Sequence, residues 1–123
     1  MLDLEGKVVA TASLWNGDTF GETLHRIHWV AVHPEHHGKG LAKALLTKLM
    51  TLYNQLEYQG VIYLVTQTWS YKAINIYEKF GFTPYKGIKP INWYYDDYET
   101  KNVEAWDLIH QNISEYKTET GRL

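Results

Sequence analysis

The sequence predicts a mixed α/β fold of the α+β kind, with a mainly antiparallel sheet and helices packed against it. Three observations carry this. An apolar run, Ile27, Trp29, Val30, Ala31 and Val32, leads through Pro34 to two glycines one residue apart, Gly38 and Gly40, and then directly into an amphipathic stretch. Leucines at 41, 45, 49, 52 and 56 recur at the spacing of one helical face. A second apolar run at residues 61–66 is followed by a second helical pattern at residues 70–80, so strand and helix alternate through the middle of the chain.

In chain order, residues 7–15 read as a strand. Val8, Ala10, Ala12 and Leu14 alternate with Val9, Thr11, Ser13 and Trp15, giving one apolar and one mixed face. Glu5-Gly6 is a turn before it, which makes residues 1–4 the tail of a preceding hairpin strand. Asn16, Gly17 and Asp18 break the pattern, and residues 24–33 form the next strand. The first helix runs from Gly38 or Lys39 to about residue 59, with Gly60 as a left-handed cap. Residues 61–66 are nearly all apolar, as an interior strand covered on both faces would be.

Ser70 is placed to cap the second helix. Its inward stripe is Ala73, Ile76 or Tyr77, and Phe80, and Gly81 stops it. Another strand begins at residues 82–86. Pro90 then interrupts, residues 92–98 read as a strand or an aromatic loop, and Asn102 can cap a last helix to about Lys117. Trp106, Ile109, Ile113 and Tyr116 share one of its faces, within a C-terminal helical extension over residues 99–118. Residues 118–123 are expected to fray.

At 123 residues the chain is expected to form one domain, residues 1–123, large enough to bury about two thirds of its unfolded surface. A formal net charge of −2 argues against a general nucleic-acid or membrane-surface binder. The absence of cysteine excludes a disulfide framework and a thiolate zinc site. No stretch approaches the roughly 20 apolar residues of a membrane span, and the first five residues lack signal-peptide character, so a cytoplasmic protein is expected.

The glycine turn is where chemistry enters. Backbone N–H groups of a first helical turn lack intrahelical acceptors, and the peptide dipoles add partial positive charge there, so that end suits an anion. Gly38 and Gly40 let a phosphate approach the backbone and permit angles other residues avoid. A nucleoside-triphosphate loop needs G-x-x-x-x-G-K-[ST], and a dinucleotide fingerprint needs G-x-G-x-x-G; Gly38-Lys39-Gly40 fits neither.

The run His37-x-x-Gly40-x-Ala42 does resemble the acetyl-coenzyme A loop of the GNAT (GCN5-related N-acetyltransferase) family, Arg/Gln-x-x-Gly-x-Gly/Ala, with His37 in the Arg/Gln place. A second match lies downstream. Residues 70–82, with Ala73, Ile74, Tyr77, Lys79, Gly81 and Phe82, look like the family's second helix, and Ser70 stands where the family usually has Asn. Together they cover the chain to about Phe82. The family's usual first strand and two helices are absent ahead of them, and a homodimer or domain swap is expected to cover the face they would occupy.

The resemblance implies helices on both faces of the sheet and a central strand pair, the strand ending at His33 and the one beginning near Val61, that splays at one end. The pantetheine arm of acetyl-CoA would enter that gap like an added strand. It implies that the backbones of Val30 and Val32 meet the acetyl and pantetheine groups, that His37, Gly38, Lys39, Gly40, Leu41 and Ala42 meet the pyrophosphate, and that Ser70 and Lys72 assist. Tyr77 takes the place of the acid that protonates the leaving thiolate; a phenol of ordinary pKa near 10 stays protonated at neutral pH. His28 is the favoured base for the incoming amine, with Glu22 or a water chain as alternatives.

His33, Glu35, His36 and His37 invite a metal reading, but they lie in a turn without H-E-x-x-H spacing, and solvated turn histidines are expected instead. Two function classes stay open: an N-acetyltransferase acting on a primary amine of a small molecule or protein, and a non-catalytic acetyl-CoA-binding or scaffold protein.

Overall fold

A computed structural model describes residues 1–121. Its elements are β1 (Ala10–Gly17), β2 (Leu24–Val32), α1 (Leu41–Gln55), β3 (Ile62–Tyr63), α2 (Tyr71–Lys79) and α3 (Tyr98–Thr120), with 3-10 turns at Pro34–His36 and Thr68–Ser70. The chain forms two compact units, one of Met1–Asp18 with Glu22–Val65, the other of Thr19–Gly21 with the chain from Thr66 onward.

The first unit holds a mixed three-stranded sheet in the order β1-β2-β3, with β1 antiparallel and β3 parallel to β2. The α+β class is the one the sequence predicts. The hairpin tail is also present: Leu2 bridges Val8, and the Val9 N–H donates to the Met1 carbonyl over 3.1 Å. Those bonds engage residues 7–9 in the hairpin, so β1 starts at Ala10 rather than Lys7. At its other end Gly17 still pairs with Leu24 and extends the strand past Trp15.

Pairing partners in the sheet share a face. Leu14 with Ile27 and Asn16 with His25 define one face, and Ser13 with His28 and Trp15 with Arg26 the other. Helix α1 packs on the first, where the Tyr53 ring meets His25 edge-on at 5.5 Å. Leu46, Leu49 and Tyr53 are buried there with Ile27 and Ala10. The leucine stripe is therefore corrected: Leu52 and Leu56 are exposed, because the line of burial follows Leu46, Leu49 and Tyr53, and only Leu49 belongs to both.

Helix α1 ends at Gln55, four residues short of expectation, and its left-handed residue is Glu57 (φ 56°), not Gly60. The Glu57 N–H donates to the Asn54 carbonyl and the Tyr58 N–H to that of Tyr53, the paired bonds of a Schellman motif. Tyr58 then stacks on His25 at 4.2 Å, so the helix closes where its next aromatic reaches the sheet. Strand β3 keeps only two of the six residues expected, since its pairing with β2 stops after Tyr63.

In the second unit α2 ends at Lys79 with Gly81 (φ 93°) beyond it, as the sequence suggested. Its buried positions are Ile74, Asn75 and Tyr77; Ala73, Ile76 and Phe80 are half-buried, so the inward stripe is shifted by one residue. Glu78 accepts from the His110 ring at 2.7 Å, joining α2 to α3. Residues 82–86 form no strand: Pro84 has no N–H to give, and the Tyr85 carbonyl accepts from the Asn102 side chain at 2.8 Å. That bond removes Asn102 from capping, and α3 starts earlier, after Asp97. Ile109 and Ile113 are buried on the expected face, and α3 continues through Thr120, so residues 118–120 are helical; residues 122 and 123 lie outside the described residues.

Candidate active site

Strand β2 is irregular at the place where the sequence put the acyl site. Ser13 pairs with His28 and Thr11 with Ala31, so Trp29 and Val30 stand together against Ala12. This is a two-against-one bulge, and Trp29 adopts φ 53°, which is unusual for a bulky side chain. Beyond Arg26, β3 offers β2 no partner. Residues 27–32 therefore present one backbone edge with no strand beside it among the described residues, the one-ended pairing that the resemblance implies.

The turn after β2 is tied to it. His33 Nδ1 accepts from the Glu35 N–H at 3.2 Å, closing the 3-10 turn, and His37 Nε2 donates to the Val32 carbonyl at 2.9 Å. Lys39 reaches His36 Nδ1 at 3.3 Å. The turn histidines thus have structural partners rather than water alone. Gly38 and Gly40 hold φ of 76° and 74°, and a Cβ on either would meet nothing within 4 Å. Conformation is what requires glycine at both positions, where the sequence had suggested room for phosphate as well.

Gly40 is the N-cap of α1 and offers no side-chain cap, and no acidic residue lies in the first turn. The first bond into the helix is from the Ala44 N–H to the Gly40 carbonyl, at 3.0 Å. The N–H groups of Gly38, Lys39, Gly40, Leu41, Ala42 and Lys43 have no acceptor among the described residues. Donors without acceptors at a helix N-terminus, with positive dipole and no competing carboxylate, make an anion site.

His28 is half-buried, and its ring stacks on Trp29 at 4.5 Å. It lies on the sheet face opposite α1 together with Arg26, a residue the sequence reading passed over. The signal was available, since Arg26 and His28 alternate with apolar Ile27 in a strand of otherwise ordinary composition. Val32 pairs with Ala10 and so lies on the α1 side, across the sheet from His28. His28, Val30, Val32 and residues 37–42 all belong to the first unit.

Ser70, Lys72 and Tyr77 belong to the second. Ser70 precedes α2 but its hydroxyl donates to Gln67 Oε1 at 3.4 Å and makes no cap. The Lys72 ammonium lies 5.0 Å from the centroid of the Tyr116 ring, a cation–π contact within the unit. Tyr77 is buried, its ring edge-on to Phe82 at 6.4 Å, and burial pushes its phenol above the ordinary value. Its hydroxyl has no hydrogen-bond partner among the described residues. Among the described residues Arg26 Nε is the buried side-chain polar atom without a partner, so the Tyr77 oxygen, equally unbonded, keeps some access to solvent.

Among the described residues no group of three His, Asp or Glu side chains is arranged to hold a metal ion, and no helix is long and apolar enough to cross a membrane. The family model described as the acetyltransferase (GNAT) family matches residues 1–82. Among solved structures, the chain is similar to the crystal structure of a Trypanosoma brucei acetyltransferase, with 27% identity and a TM-score of 0.55. The similarity covers 73% of this chain and 63% of that one, so the chain spans less than two thirds of its solved relative. A search of curated proteins gives no match.

Proposed function

Because the chain belongs to the acetyltransferase (GNAT) family, we propose that it transfers an acetyl group from acetyl-CoA to a primary amine by direct attack on the thioester. The observation that carries the proposal is one continuous segment in which an unpaired strand edge, residues 27–32, runs into a turn whose N–H groups lack acceptors. That order suits a ligand with an extended amide-bearing arm attached to a diphosphate.

In this reading the N–H groups from Gly38 to Lys43 hold the pyrophosphate, and the His37 tie to Val32 sets the turn's position relative to β2. The backbones of Val30 and Val32 orient the arm, and the bulge at Trp29 redirects the strand's amides at the point where a developing oxyanion would need a donor. Acetyl-CoA supplies the activated acyl carbon. His28 takes a proton from the acceptor ammonium, directly or through water, which frees the lone pair that forms the new C–N bond. As the C–S bond breaks, Tyr77 gives its phenolic proton to the thiolate and is reprotonated from solvent. Burial favours the protonated phenol, the form from which a proton can be given.

A thiol-release assay with acetyl-CoA across a panel of primary amines tests the proposal. Release that exceeds the Tyr77→Phe rate by about 100-fold or more is expected. A chain that binds coenzyme yet releases thiol no faster than Tyr77→Phe is instead a binding or scaffold protein. The proposed assembly is a homodimer, supported by exposed apolar side chains such as Ile88 and Tyr94. Sedimentation velocity showing only monomer would rule it out.

A further inference from the structure

We propose that Arg26 is the anion anchor for the acceptor, and that the acceptor is therefore an amine that also carries a carboxylate, such as an amino acid. The inference rests on the acetyl-transfer reading for its amine and on the first unit alone for its anion.

Arg26 sits in the interior of the sheet, paired with Trp15 on β1 and Tyr63 on β3. Its guanidinium carbon lies 5.9 Å from the centroid of the Tyr63 ring. A Cβ at Gly17 would collide with the Tyr63 hydroxyl and approach Arg26 Cδ to 3.2 Å, so Gly17 leaves the space in which the stem and ring pack. The side chain is thus held by its neighbours. No carboxylate of the described residues lies within 4 Å of it, and its Nε is sealed from solvent without an acceptor.

A guanidinium is a planar fork of five donors, matched to the two oxygens of a carboxylate. A positioned fork that meets no carboxylate among the described residues is a binding group open to an anion. His28 follows two residues later on the same face, about 6.7 Å along the strand. An acceptor whose carboxylate meets Arg26 brings its ammonium toward His28, and the exposed indole of Trp15 across the ladder adds an apolar surface beside them.

The test uses matched pairs that differ by the carboxylate: alanine and ethylamine, phenylalanine and phenethylamine, lysine and cadaverine. Binding to the coenzyme A-loaded full chain is read by calorimetry, and thiol release from acetyl-CoA is read in parallel. In at least one pair the carboxylated member is expected to bind about tenfold more tightly. Arg26→Met is expected to erase that preference, and Arg26→Lys, which keeps charge but not the fork, to retain part of it. Equal affinities in every pair, no binding by any carboxylated member, or a preference that survives Arg26→Met overturns the proposal. The comparison of pairs on the unaltered chain keeps the test valid if a variant fails to fold. Thiol release without the preference sinks the anchor and leaves acetyl transfer standing; the preference without thiol release does the reverse.

Discussion

His37 Nε2 donates to the carbonyl oxygen of Val32 over 2.9 Å, so the residue that opens the glycine turn is fastened to the last residue of β2. The bond is exposed, and a hydrogen bond of this kind contributes about 1 kcal/mol net. His37→Ala should therefore lower Tm by about 4 °C by calorimetric scanning and raise the Kd for coenzyme A by up to about fivefold by calorimetric titration. An unchanged Kd would mean that the turn keeps its place without the tie.

Gly40 should resist replacement for its angle rather than its size. At φ 74° with open space where a Cβ would stand, Gly40→Ala should cost about 1–2 kcal/mol in urea denaturation. Gly40→Asn should cost less, because Asn tolerates the left-handed region better. Equal losses for the two would point to crowding instead.

Glu57 offers the opposite case. It holds the left-handed position of the α1 Schellman motif, where glycine is usual, at φ 56°. Glu57→Gly should stabilise the chain by about 1 kcal/mol, a rise in Tm of about 4 °C by calorimetric scanning. A fall in Tm would show that the Glu57 side chain contributes more than its angle costs.

The buried phenols set an alkaline limit. Burial raises the pKa of Tyr77, and burial followed by the neighbouring Tyr85 raises that of Tyr98. Below about pH 10 both phenols are protonated in the folded and the unfolded chain, so they add no pH dependence. Above it the unfolded chain loses protons first, and stability should fall as pH rises toward the folded values. Denaturation midpoints measured from pH 8 to 11 should be flat and then decline, less steeply in Tyr77→Phe. The alkaline limb of thiol release that Tyr77 causes should likewise lie above pH 10.

Much of this was legible in the sequence where periodicity or glycine spoke locally. The order of strand, glycine turn and helix from Leu24 into α1, the Gly81 stop and the buried Ile109 and Ile113 of α3 follow from local pattern, although α1 ends four residues before the expected place. What failed depended on partners distant in the chain. Residues 61–66 have the composition of a strand, but only Ile62 and Tyr63 find β2 beside them. Asn102 has the chemistry of a cap, but Tyr85 claims its amide. The glycine turn was legible because glycine acts through backbone angle, whereas Arg26, though marked by its alternation with Ile27, gains its significance only when its surroundings are seen.

The extra residue at Trp29 has a consequence for how β2 may vary. Upstream of it the even-numbered side chains, Leu24, Arg26 and His28, look to one side of the sheet, and downstream the even-numbered Val32 looks to the other. The strand changes phase midway. Deleting position 29 would restore a regular ladder, with Val30 opposite Ala12, and Arg26, His28 and Val32 would each keep their layer. What the extra residue supplies is therefore not the sidedness of the sheet but the local break in the edge of β2.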